Sequence, residues 1–211
     1  MKKLIAFVFL FFIALPFSFS QTYMGIKAGA NVANMTINNE LGQGLNTNNE
    51  NKIGYQIGVI AQEEITSKVY LRSELYYALK GYRLDDDQRT RVGFNYINLP
   101  VLLGYKLSSD FSVLLGPQLG FLGPVYTNNE ENGRSKNLRK AVGYNKVDLG
   151  IGAGVNYTLT TRTSVDLRYN YGFTNILVLN FTDSSVNKVV YDIIKNSKTL
   201  ELSLNYFFRT K

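Results

Sequence analysis

The sequence predicts an all-β fold: an eight-stranded antiparallel up-and-down transmembrane β-barrel preceded by a cleaved signal peptide. Three observations carry this. The N-terminus reads as an export signal, the rest of the chain alternates at period two, and the connections alternate between long and short.

Lys2 and Lys3 form a positively charged start, followed by an unbroken apolar run over residues 4–15. Pro16 breaks the run, and Ser18 and Ser20 place small residues before a cut ahead of Gln21. That layout is a secretory signal peptide over residues 1–20, and the run is too short for a spanning helix. The remaining segment, 21–211, is one barrel domain, with 21 Lys+Arg against 16 Asp+Glu.

The strands follow in order. In the first, over 22–33, the apolar positions are Met24, Ile26, Ala28, Ala30 and Val32, with Lys27 and Asn31 between them. In the next seven the apolar set falls on odd numbers. It is Ile53 to Ala61 in 52–63, Val69 to Leu79 in 68–82, and Ile97 to Tyr105 in 92–107. It continues as Phe111 to Phe121 in 110–123, Val147 to Tyr157 in 145–158, Val165 to Phe173 in 162–174, and Leu200 to Phe208 in 198–209. Strict alternation argues for strands with one apolar face.

The opposite face is polar and rich in glycine, including Gly25, Gly29, Gly54, Gly58, Gly104, Gly150, Gly152 and Gly154. Residues 64–67, 108–109 and 159–161 are short connections, 83–91 is moderate, and 34–51, 127–144 and 175–197 are long. Tight turns at one end and long loops at the other are the pattern of an outer-membrane barrel, with its turns in the periplasm and its loops outside. Aromatic girdles are expected at both interfaces: Tyr105, Phe111, Tyr157, Tyr206 and Phe208 at the turn end, and Tyr55, Tyr77, Phe121, Tyr171 and Phe173 at the loop end. A soluble barrel with its apolar face inward would alternate as well, but would need neither both girdles nor a glycine-rich polar face.

Composition removes several function classes. The chain has no His, no Cys and no Trp. This excludes a zinc-finger ligand set, a nucleophile paired with histidine, thiol chemistry and an acylated lipoprotein cysteine. Nucleic-acid binding does not suit the modest, dispersed charge or the compartment. The GIGAG run at 150–154 lacks the helix and lysine of a phosphate loop, and its glycines fit lumenal packing. The acidic run Asp85, Asp86, Asp87 is flanked by Arg83, Arg89 and Arg91 and reads as a solvated loop tip rather than a cation site. No metal and no cofactor is expected. The basic loop at 127–140 sets Arg134, Lys136, Arg139 and Lys140 against Glu130 and Glu131 and reads first as a solvated loop, with contacts to lipopolysaccharide phosphates as the second reading. Apolar runs at 176–179 and 189–194 read as a hairpin past the membrane, with an edge suited to an envelope partner protein.

The lumenal face carries a set of opposite charges: Lys27, Arg72, Lys80, Lys106 and Arg168 against Glu74, Asp148, Asp166 and Glu201. An unpaired charge in a confined site is costly, so a structural network of paired ions is expected, leaving the lumen narrow or plugged. The competing reading is an ion path or a carboxylate pair for acid–base work.

Several stretches resemble the PorT-like outer-membrane β-barrel family of Bacteroidetes. They are GIKAG at 25–29, LRSELYYALKG at 71–81, YINLPVLLGY at 96–105, GPQLG at 116–120 and DLRYNYG at 166–172. The resemblance covers essentially the whole chain after the signal segment and implies a barrel in the bacterial outer membrane. Members of that family mostly have no assigned activity, and the founding type is similar to an accessory factor for protein secretion and gliding. The expected function is a structural or interaction component of the cell envelope, not an enzyme, acting through its extracellular loops and accessory to a secretion assembly. Outer-membrane lipid and lipopolysaccharide are the expected surroundings. A small channel for ions or solutes and a lipid-modifying barrel enzyme are the alternatives.

Overall fold

The computed structural model describes residues 22–39, 50–83, 91–128, 136–137, 145–174, 177–183 and 188–208. They form β1 (Thr22–Asn39), β2 (Glu50–Glu64), β3 (Val69–Arg83), β4 (Arg91–Lys106), β5 (Phe111–Asn128) and β6 (Lys136–Asn137), followed by β7 (Val147–Thr158), β8 (Thr163–Gly172), β9 (Leu177–Asp183) and β10 (Lys188–Phe208). Strands β1 to β5, β7, β8 and β10 pair antiparallel in chain order, and β1 pairs with β10 to close the cylinder. The predicted eight-stranded barrel is therefore the fold. The signal segment and the acidic run at 85–87 lie outside the described residues, as does most of the basic loop at 127–140.

Three tight turns share one construction. In Ile65-Thr66-Ser67, Leu107-Ser108-Ser109 and Leu159-Thr160-Thr161, an apolar residue precedes two hydroxylated ones. The first hydroxyl oxygen of each accepts a backbone N–H at the next strand's start: Thr66 from Val69 at 3.0 Å, Ser108 from Phe111 at 3.1 Å and Thr160 from Thr163 at 3.1 Å. Such side-chain caps satisfy backbone donors where strand pairing ends.

The apolar half of the alternation points outward. Leu202, Leu204, Ile57 and Leu167 are 54%, 53%, 59% and 45% exposed, whereas Lys27, Arg72, Glu74 and Glu201 are almost wholly enclosed. A continuous apolar belt with charges inside is stable only when hydrocarbon surrounds it. Rings cluster at both rims: Tyr206 and Phe208 lie 5.5 Å apart at the turn end, and Tyr55 and Tyr77 lie 6.0 Å apart, Tyr171 and Phe173 5.6 Å apart, towards the loops.

Strands outlast the alternation at the loop end. β1 runs to Asn39, six residues beyond its apolar pattern, and pairs there with β10 as far as Asp192. The even-numbered apolar pattern of 24–32 gives way there to Thr36, Asn38 and Asn39, with Met35 and Ile37 at odd positions, so pairing persists where that pattern ends. The hairpin expected after residue 175 is present as β9 against the first half of β10, with Leu177 opposite Ile194 and Asp183 opposite Lys188. β9 continues the line of β8, since both pair with β10 in the same sense. The neighbouring β7 starts only at Val147, opposite Phe121, while β5 continues to Asn128.

Candidate functional site

The lumen is filled at mid-height by charge. β3 supplies Arg72 and Glu74, and β8 supplies Asp166 and Arg168. These strands are four places apart in either direction around the barrel, so their side chains meet across its diameter. Arg72 Nη1 donates to Asp166 Oδ1 at 3.0 Å and to Oδ2 at 3.1 Å. Arg168 Nη1 and Nη2 donate to Glu74 Oε1 and Oε2 at 3.1 and 2.9 Å. Arg168 Nη2 also reaches Glu201 Oε2 at 2.9 Å.

Adjacent strands complete the cluster. Lys27 of β1 donates to Glu74 Oε2 at 2.9 Å and lies 3.8 Å from Glu201 Oε2. The Tyr76 hydroxyl donates to Glu201 Oε1 at 2.9 Å, and its ring lies under both Lys27, at 4.7 Å, and Arg168, at 5.6 Å. Turned about its amide, Gln56 donates to both Glu201 oxygens at 3.2 and 3.3 Å and accepts from Ser203 Oγ at 2.6 Å. Lys27, Glu74, Arg168 and Glu201 have no exposed side-chain surface. Each carboxylate is held by charged donors, the arrangement under which enclosed ions are tolerated.

The other predicted lumenal charges stand apart from this cluster. Lys106 pairs with Glu64 at 2.5 Å at the turn-end mouth, a partner outside the predicted set. Lys80 sits 5.1 Å over the Tyr96 ring towards the loops. Together with Asp148 and Asn170 it lines a void of about 10 Å³. Among the described residues, Asp148 Oδ1 and both amide atoms of Asn170 have no hydrogen-bond partner.

Inward-facing aromatics were not anticipated. Tyr70, Tyr76, Phe94 and Tyr96 are buried on the even face, where they space the charges, and the three tyrosines make cation–π contacts. The available signal was a large ring at an even position of an otherwise polar face. Glycine admits these rings: a Cβ on Gly104 would coincide with the Tyr70 ring, its cross-strand partner. Among the described residues no group of three His, Cys, Asp or Glu is arranged to hold a metal ion.

A closed eight-stranded cylinder, apolar outside and ion-paired inside, narrows the comparison with known proteins to membrane barrels. The family model described as "Outer membrane protein beta-barrel domain" matches residues 19–178. This chain belongs to that family. It is accordingly a bacterial outer-membrane β-barrel protein. Among solved structures this barrel is similar to Neisserial surface protein A (NspA), at 18% identity over 90% of this chain and 98% of that one, with a TM-score of 0.54. It is also similar to OprG from Pseudomonas aeruginosa, at 14% identity over 90% and 97%, TM-score 0.48. A third likeness is Ail, the attachment invasion locus protein of Yersinia pestis, at 15% identity over 90% and 100%, TM-score 0.47. No curated protein matches this barrel.

Proposed function

We propose that this outer-membrane barrel is a structural or interaction component of the cell envelope that acts through its extracellular loops, as an accessory to a secretion assembly of the PorT-like kind. The observation that carries this reading is the plugged lumen. Lys27, Glu74, Arg168 and Glu201 close the centre of the cylinder with fully enclosed ion pairs. Conduction would have to break interactions that span the barrel, and the two central carboxylates, Glu74 and Glu201, are both occupied by charged donors. Activity then belongs to the ends.

At the loop end the β9–β10 hairpin supports a role in partner binding. β9 is paired on one side by β10, and among the described residues nothing pairs its other side. A free strand edge is a template for an extended segment of another polypeptide. Crosslinking in intact cells followed by purification tests this. A protein partner captured by the native chain and lost when residues 177–194 are replaced by a short Gly-Ser turn is the expected result. A barrel that is always recovered alone would refute it.

A further inference from the structure

The two ends of the lumen differ. Towards the loops the described residues beside Lys80 and Asp148 enclose a water-sized void. Towards the turns the lumen opens into a vestibule of about 410 Å³ whose lining includes Arg72. That volume falls in the range of small-molecule sites, roughly 300–1,000 Å³.

The inner wall is preorganised. Arg72 Nε and Nη2 donate to Gln62 Oε1 at 3.2 and 2.8 Å, and its guanidinium lies 5.5 Å from the Tyr70 ring and 5.7 Å from the Phe207 ring. Asn156 Nδ2 donates to Asp166 Oδ1 at 2.6 Å, fixing a second polar side chain of the lining. Arg72 is neutralised by Asp166, and Lys106 by Glu64. Arg162, also in the lining, makes no side-chain ion pair or hydrogen bond among the described residues. It is the surplus positive charge of the vestibule.

Hydroxyls share the lining with Arg162, which is exposed at its turn. Thr158, Thr160, Thr161, Thr163 and Ser164 all line the cavity. The Thr160 oxygen accepts from the backbone N–H groups of Arg162 and Thr163 at 3.2 and 3.1 Å, so its own proton remains to donate. One unpaired guanidinium in a cavity lined by hydroxyl and amide groups disfavours a cation and offers little to an apolar guest. It suits an anion that carries several hydroxyls.

We infer that the turn-end vestibule binds a small acidic sugar, with its phosphate or carboxylate on Arg162 and its hydroxyls on the threonine and asparagine wall. Arg162 recognises the shared anionic chemistry of a sugar phosphate and a uronic acid.

Calorimetric titration of the folded full-length barrel in detergent tests this, using glucose 6-phosphate, glucuronate, glucose and inorganic phosphate as probes. At least one of the two acidic sugars binds, and neutral glucose and inorganic phosphate bind roughly tenfold more weakly. Binding of glucose 6-phosphate alone assigns the site to sugar phosphates, and binding of glucuronate alone to sugar carboxylates. Arg162→Gln weakens the bound probe about tenfold, while a Lys68→Gln control outside the cavity leaves it unchanged. Both positions lie in turns, and the heat-dependent gel shift of each variant reports its folding. Absence of binding by either acidic sugar at about 10 mM overturns the inference. So does affinity untouched by Arg162→Gln, or inorganic phosphate binding as tightly as the sugars.

Discussion

Glu74 and Arg168 face each other across the full width of the barrel and are joined by two hydrogen bonds, at 3.1 and 2.9 Å. They belong to the third and seventh strands of the cylinder, which run in the same direction because neighbouring strands alternate. Two residues earlier on each strand, Arg72 faces Asp166 with the charges exchanged. The Arg-Ser-Glu of β3 and the Asp-Leu-Arg of β8 are therefore complementary at the same level. A shift of either strand by two residues would set like charges against each other, so the pairs oppose a slip in register.

Glu74→Gln is expected to destabilise the folded barrel by about 3–5 kcal/mol, because Lys27 and Arg168 lose a shared counter-charge inside the lumen. Glu74→Gln combined with Arg168→Gln should cost clearly less than the sum of the single changes. Urea titrations followed by the fraction that stays folded in cold SDS measure both. Additive costs would show that the pair is not coupled.

The native barrel should give no single-channel conductance above background in planar bilayers. Glu74→Ala with Arg168→Ala removes the cross-lumen pair and should raise conductance measurably. A conducting native protein would support the small-channel alternative instead.

Leu202 lies mid-strand in β10, between Ala30 of β1 and Leu167 of β8, and is 54% exposed on the outer face. Leu202→Arg should cost about 2–4 kcal/mol in a bilayer, the penalty for a charge near the hydrocarbon midplane. Unfolding from lipid vesicles measures it, with Leu202→Ile as the near-neutral comparison.

Gly104→Val should destabilise the barrel by about 1–3 kcal/mol, since the new side chain would occupy the place of the Tyr70 ring. Gly104→Val combined with Tyr70→Ala should recover part of the loss. The same urea titration decides it.

Mass spectrometry of the protein recovered from the outer-membrane fraction should give a chain that starts at Gln21. A heat-dependent shift in gel mobility of that fraction is expected alongside it. Retention of residues 1–20 would overturn the reading of that segment as a cleaved signal.

The alternation of residues such as Leu200, Leu202 and Leu204 determined by itself that this is a strand protein with one apolar face. A period of two has no other regular explanation. The loop lengths made the barrel and its polarity legible, because only antiparallel neighbours can be joined by turns as short as 108–109. The inward position of Lys27, Arg72, Glu74 and Arg168 was also legible, since side-chain parity on a strand is local information.

Partner choice was not legible. That Glu74 meets Arg168, and Lys106 meets Glu64, depends on closure of the cylinder, which brings residues 94 and 42 positions apart into hydrogen-bond range. The inward rings of Tyr70, Tyr76 and Tyr96, and the turn-end vestibule left below Arg72, were likewise decided by closure. A strand's sequence sets which face each side chain takes. What it meets there is set by how all eight strands curve around one narrow space.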